Sequence, residues 1–121
     1  MTTQEVAARY HELANQRKFI EIQDTLYHED VVCQEMEKAA SMGMAVFTHG
    51  LEAVKAKGIA RRATIETSHS YIVSDPIVAG EFFSAVLKQD VTFKDKPRMT
   101  LEEIGVFQVK DGKVVKEQFF Y

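Results

Sequence analysis

Three apolar pairs in the second half of the chain, Phe82-Phe83, Val106-Phe107 and Phe119-Phe120, constrain the fold more than any other feature. Each lies in a stretch rich in β-branched and aromatic residues, and neighbouring side chains on a strand point to opposite faces. Each pair therefore puts a bulky apolar group on both sides of a sheet. Asp111-Gly112 is the strongest short-range hairpin signal in the chain. Asp75-Pro76 and Lys94-Asp95-Lys96-Pro97 supply two more turns. Strands are expected over residues 65–74, 77–93 with a bulge near Gly80, 98–110 and 113–121. Hairpins in succession imply an antiparallel sheet.

The first half follows a different period. Thr2 and Glu5 have capping-box spacing, and Val6, Tyr10, Leu13 and Ala14 recur at helical intervals, so residues 2–15 are expected to be helical. Asn15-Gln16-Arg17 interrupts that stripe. A second helix carries Phe19, Ile22 and Leu26, with Tyr27 near its end, and Val31-Val32-Cys33 opens a short strand. Residues 37–49 follow neither period and read as a loop with a partial turn. A third helix begins near Gly50-Leu51. Its buried stripe is drawn from Leu51, Val54, Gly58 and Ile59, which leaves Lys55, Lys57, Arg61 and Arg62 on the solvated side. Helices first and strands afterwards give the α+β class, with residues 1–121 as one domain. The helices can cover one face of the sheet, and no further helix is expected for the other. A homodimer through the outer sheet faces of two copies is therefore expected.

Charge and composition narrow the partners. The 121 residues carry a net charge of −3, which disfavours a polyphosphate partner, so no nucleic acid is expected. No apolar run is long enough to span a membrane, and the opening residues lack the basic and apolar parts of a signal peptide, so a cytoplasmic protein is expected. Cys33 is the one cysteine, which leaves no internal disulfide. His11, His28 and His49 have no metal-ligand spacing, and the chain contains no HxxxH or HExxH pattern. No glycine-rich phosphate loop is present either. Neither a metal nor a cofactor is expected.

Three segments carry a resemblance: Leu26-Tyr27-His28-Glu29-Asp30-Val31-Val32, Gly50-Leu51-Glu52-Ala53-Val54-Lys55-Ala56-Lys57-Gly58, and the tail from Glu102 to Tyr121. Together they make the chain resemble SnoaL-like domains of the nuclear transport factor 2-like superfamily over essentially its whole length. The resemblance implies a cone-like fold, with three N-terminal helices packed on a curved antiparallel sheet that encloses a pocket. It does not specify a reaction, since the superfamily includes cyclases, isomerases, dehydratases and binding modules. A more distant resemblance, to ketosteroid isomerase, implies roles for particular residues. Ala8-Arg9-Tyr10 is similar to that enzyme's first helix, where the tyrosine donates to an oxyanion. Asp30 to Met36 is similar to its first strand and places Glu35 at the carboxylate base. The enzyme's second oxyanion donor falls at Gly105, which has no side chain to donate, so the isomerase set is incomplete. SnoaL-like cyclases use a carboxylate acid/base in the pocket, and Glu103 shares a strand face with Gly105.

Glu35, Tyr10 and Glu103 are thus the candidate catalytic residues. Alternation puts Cys33 and Val31 on the face of Glu35, and apolar surroundings would raise its pKa toward the working range of a general base. Tyr10 lies on the apolar stripe of the first helix. Glu102 and Glu103 point to opposite faces, so at most one of them enters the pocket. His69, Met36 and Phe107 are candidate ligand contacts. For His69 one residue of register decides between pocket and solvent. Met36, Met42 and Met44 suit an adaptable pocket mouth, and equally ordinary loop packing. Cys33 reads as a small buried strand residue. The expected activity is cofactor-free acid/base chemistry on a small apolar carbonyl compound, which would be isomerised, cyclised or dehydrated. A non-catalytic ligand binder and a dimeric interaction module with a filled interior remain open beside it.

Overall fold

A computed structural model describes residues 1–121. The chain opens with helices α1 (Thr3–Asn15) and α2 (Phe19–Leu26), then strand β1 (Tyr27–Gln34), a 3₁₀ helix (Glu37–Met42), strand β2 (Phe47–His49) and helix α3 (Leu51–Ala63). Strands β3 (Ile65–Val73), β4 (Ile77–Ala79), β5 (Phe82–Phe93), β6 (Met99–Lys110) and β7 (Lys113–Phe120) complete it. The α+β order and the three α-helices are as expected.

Helix α1 starts where Thr2 and Glu5 cap each other. The Thr2 hydroxyl accepts the Glu5 N–H at 3.1 Å, and the Glu5 carboxylate accepts the Thr2 N–H at 2.9 Å. The buried face is Val6, Ala7, Tyr10, Leu13 and Ala14. At its end, Asn15 brackets the backbone of Val73 from both sides, donating to its carbonyl at 3.1 Å and accepting its N–H at 2.9 Å. The residue that interrupts the apolar stripe thus anchors the helix to β3.

The strands form one curled sheet in the order β2-β1-β7-β6-β5-β3, with β4 added to β5. Every pair is antiparallel except β1 with β7, which run parallel. The expectation of a wholly antiparallel sheet is corrected at that one pair. Hairpin signals report neighbours in sequence, whereas β1 and β7 come from opposite ends of the chain. Two further corrections are local. Residues 77–93 form two strands, because Gly80 adopts φ of +58° and turns the chain, so that Ala79 pairs with Phe82. Within the expected loop 37–49, the 3₁₀ helix precedes a strand that pairs Phe47–His49 with Gln34–Val32.

The core lies under α1. Phe83 and Phe107 stack with centroids 4.7 Å apart, and the Tyr10 ring leans on both, at 5.6 and 4.5 Å. Phe107 is fully buried, so it belongs to the core and not to a ligand surface. Gly105, paired with Ala85 and Phe119, is small for a steric reason. A Cβ there would come within 2.9 Å of the Phe107 ring and 3.1 Å of Leu87. The opposite sheet face leaves Val86, Ile104 and Phe120 exposed in one cross-strand row, with Ile72 nearby on β3. No helix is long and apolar enough to cross a membrane.

Candidate active site

Beyond the aromatic core the cone widens into a half-open cavity of about 1160 Å³ between the helices and the sheet. Its lining is mostly apolar, and three carboxylates, Glu35, Glu103 and Glu117, contribute to it together with Lys57, Tyr10 and Tyr71. The filled interior weighed as an alternative is therefore not what this fold contains.

Glu35 follows β1, and strand alternation carries it to the face of Val31 and Cys33 as expected. Its surroundings are not apolar. The Lys57 ammonium donates to one carboxylate oxygen at 2.7 Å, and the Tyr121 hydroxyl donates to the other at 3.1 Å. Lys57 also lies 3.2 Å from the Cys33 sulfur. Burial alone would pull the Lys57 pKa down, but its bonds to Glu35 and Cys33 outweigh that and hold it above its ordinary value. Lys57 is therefore a lasting cation inside the cone, and the expectation of a solvated lysine is corrected. The thiol of Cys33 is pushed up to about 12, chiefly by burial, and stays protonated.

The carboxyls held in a useful range are the other two. Burial is the main cause that raises Glu103 to about 7, and the neighbouring Glu35 charge adds to it, against the pull of Arg61 and Lys57. Burial likewise raises Glu117 to about 7, although the Tyr27 hydroxyl donates to it at 2.9 Å and Lys57 lies near. Burial outweighs both because Glu117 is only 5% exposed. Tyr10 and Tyr27 are raised well above the usual phenol range, first by burial, so both remain neutral donors.

A test of this arrangement follows from linkage. A carboxyl whose folded pKa lies above its unfolded one adds stability that is complete below the unfolded value and is lost as pH rises through the folded one. For Glu117 that window runs from about 4.5 to about 7, a difference on the order of 3 kcal/mol. Glu117→Gln is therefore expected to gain about that much relative to wild type between pH 5 and pH 8 in urea unfolding. An unchanged difference at the two pH values would dismiss the buried neutral acid.

Of the six residues expected at a site, the structure brings Glu35, Tyr10 and Glu103 to the cavity and leaves three outside it. The register of β3 slips between Ile65 and Thr67 and again between Ser68 and Ser70. Ile65, Ser68 and Tyr71 consequently line the cavity, while His69 is exposed and meets the Thr92 hydroxyl at 2.9 Å. Met36 packs behind the site, its sulfur accepting the Tyr121 N–H at 3.2 Å, and Phe107 lies in the core. Met42 and Met44 line the cavity. Glu102 touches the cavity too, but its side chain is largely exposed and pairs with Lys88 at 3.5 Å.

Glu117, Tyr121 and Gln23 line the cavity beyond the expected site, as does Lys57, expected on the solvated side of α3. Glu117 and Tyr121 have the parity of Phe119, so an inward Phe119 carries both inward. A register slip beside Val109 lets Val114 and Glu117, three residues apart, share that face. Lys57 stands three residues after buried Val54, a helical neighbour whose charge suggested solvent. For Gln23 there was no signal beyond its place on α2. Its side-chain oxygen is buried against the cavity without a hydrogen-bond partner in the protein. No cluster of three or more His, Cys, Asp or Glu side chains is arranged to hold a metal ion.

Comparison with known proteins agrees with this architecture. A SnoaL-like polyketide cyclase candidate from Mesorhizobium loti superposes with a TM-score of 0.91 at 31% identity, and the match covers 100% of both chains. TerC, crystallised with polyporic acid, has a TM-score of 0.79 at 16% identity, over 98% of this chain and 90% of its own. A protein of ketosteroid isomerase-like fold from Catenulispora acidiphila, in complex with trimethylamine, has a TM-score of 0.73 at 14% identity, over 97% and 85%. No curated protein matches the sequence. The profile of the SnoaL-like domain matches residues 1–121. With the whole chain matched, and with the same cone of helices and curled sheet in its relatives, this protein is a member of the SnoaL-like domain family, within the nuclear transport factor 2-like fold.

Proposed function

We propose that the cavity binds an apolar, carbonyl-bearing molecule and moves a proton at the carbon next to the carbonyl, without a cofactor. The observation that carries this is a carboxyl, Glu103, poised at about 7 in a mostly apolar cavity large enough for a multi-ring ligand. A group with that pKa is both a competent base and a competent acid near neutral pH. Glu103 takes the proton from the carbon and later returns it at another carbon. That return completes an isomerisation; in a ring closure the proton goes instead to the oxygen of the carbonyl that the enolate carbon attacks, and in a dehydration to the hydroxyl that leaves as water. The neutral hydroxyl of Tyr10, close enough to feel the Glu103 charge, donates to the enolate oxygen as it develops. Glu35 holds the Lys57 ammonium in place, and that cation stabilises negative charge in the cavity. The unpartnered oxygen of Gln23 suits a hydroxyl on the ligand. Relatives described as polyketide cyclase candidates support carbonyl chemistry of this class.

The direct test uses 2-tetralone in D₂O, followed by proton NMR. Deuterium uptake next to the carbonyl, faster with protein than in buffer at the same pH, is the expected result. Binding of 2-tetralone with no acceleration would favour a non-catalytic ligand carrier, a reading that Gly105 supports by leaving one donor position empty.

A second copy of the chain is the proposed cover for the outer sheet face, where Val86, Ile104 and Phe120 lie in register and are 36%, 48% and 40% exposed. Sedimentation at micromolar concentration is expected to give a dimer, and Ile104→Asp a folded monomer. A wild-type monomer under those conditions ends the dimer proposal.

A further inference from the structure

We infer that the ligand carries an anionic group, and that Arg62, assisted by Arg17, is the residue that anchors it at the end of the cavity beside Phe19. This rests on the reading of the cavity as a ligand site and specifies the class of ligand.

The first ground is charge placement. The chain is acidic overall, at −3, yet Arg17, Lys57, Arg61 and Arg62 all line the main cavity beside its carboxylates. Lys57 is committed to Glu35. Arg17, Arg61 and Arg62 form no ion pair, whereas Arg9 and Arg98 on the surface each hold a carboxylate. The carboxylate nearest in sequence to Arg17, Glu21, is occupied by Arg9 at 3.4 Å. Arg61 lies close enough to Glu103 to pull on its charge, which leaves Arg17 and Arg62 as the guanidiniums without a carboxylate partner. Such groups are strong recognition elements for carboxylates and ionised enols.

The second ground is how Arg62 is held. Its guanidinium lies over the Phe19 ring at 5.1 Å, and Phe19 in turn meets Tyr71 edge-on at 5.0 Å. Gly58, one turn earlier on α3, lies close beside it. A Cβ at Gly58 would stand 3.0 Å from the nearest guanidinium nitrogen, so the group packs closely over the glycine. Stacking satisfies the face of a guanidinium and leaves the donors in its plane available. Arg62 is therefore positioned, partly desolvated and still unsatisfied at its edge, which favours an anion over water.

The third ground is Arg17. It ends α1 in the left-handed region, at φ of +59°, a conformation that costs a non-glycine residue on the order of 1 kcal/mol. From there its side chain reaches the lining of the main cavity. Arg17, Phe19 and Arg62 also line a smaller recess that adjoins it, so these three mark the threshold between the two. On α3, Lys57 and Arg61 are a single turn apart, roughly 6 Å along the helix. The bound molecule thus has its anion beside Arg62 and its reacting carbonyl beside Glu103.

The test compares 1-anilinonaphthalene-8-sulfonate with N-phenyl-1-naphthylamine, the same rings without the sulfonate, by fluorescence titration. Wild type is expected to bind the sulfonate more tightly than the neutral probe. Arg62→Met should weaken the sulfonate roughly tenfold to a hundredfold while moving the neutral probe less than about twofold. Arg62→Lys should recover part of the loss, and Arg17→Met should give a smaller selective loss. If both probes bind wild type but Arg62→Met moves neither, or moves both equally, the anchor is wrong and the cavity reading stands. If neither probe binds wild type, both readings fall together.

Discussion

Glu103→Gln is expected to slow deuterium exchange on 2-tetralone by about 10²–10⁴-fold, the range that a positioned general acid/base contributes. The side chain keeps its shape and loses only the ability to carry the proton. Folding should survive, because the native environment already favours the neutral form of Glu103. Binding of the probe should change little, so the loss belongs in the chemical step. The pH profile adds a second readout. Exchange catalysed by a carboxylate base rises as that group loses its proton, so the wild-type rate should climb through about pH 7, the value raised by burial and by the Glu35 charge. In the variant that inflection should vanish. A Glu103→Gln protein with full activity would remove Glu103 from the mechanism, and the test would pass to Glu117. That residue is fully buried and engaged by Tyr27, which makes it the less accessible proton carrier.

The contrast between Glu103 and Glu35 shows how much of the site was legible in the sequence. Strand parity carried both carboxylates to the cavity, because alternation is a local rule. The environment of Glu35 was not local. Its partners, Lys57 and Tyr121, lie 22 and 86 residues away and come from α3 and the end of β7. The apolar pairs and the Asp111-Gly112 turn showed the sheet for the same reason that parity showed the carboxylates. The parallel contact of β1 with β7 was hidden, since no turn connects them. His69 failed through register, because two slips in β3 moved the inward set to Ile65, Ser68 and Tyr71. Phe107 failed through depth: it is on the inner face but beneath Tyr10, where the cone is closed. Lys57 and Ile59 on α3 were exchanged in the reading, the lysine facing in and the isoleucine 54% exposed. Hydrophobic periodicity assumes that a helix buries apolar groups, and this helix faces a cavity that holds carboxylates.

Lys57→Met is accordingly expected to destabilise the fold by about 3 kcal/mol at pH 8, as removal of one partner from a buried ion pair does. Glu35 is 9% exposed and would keep only the Tyr121 hydroxyl as a donor. Lys57 is 24% exposed at its side chain, which keeps the expected penalty at the lower end of the range for buried pairs. The second substitution decides the cause. Adding Glu35→Gln to Lys57→Met removes the unpaired charge, so the double variant should recover most of the lost stability at pH 8. Urea unfolding of the two single variants and the double variant gives a coupling energy, expected on the order of 1–3 kcal/mol. The same set separates stability from function. Restored stability without restored exchange on 2-tetralone assigns the Lys57 cation a part in the chemistry. Recovery of both makes the ion pair an architectural support for the cone. A double variant no more stable than Lys57→Met would mean that packing of the lysine stem, rather than its charge, joins α3 to β1.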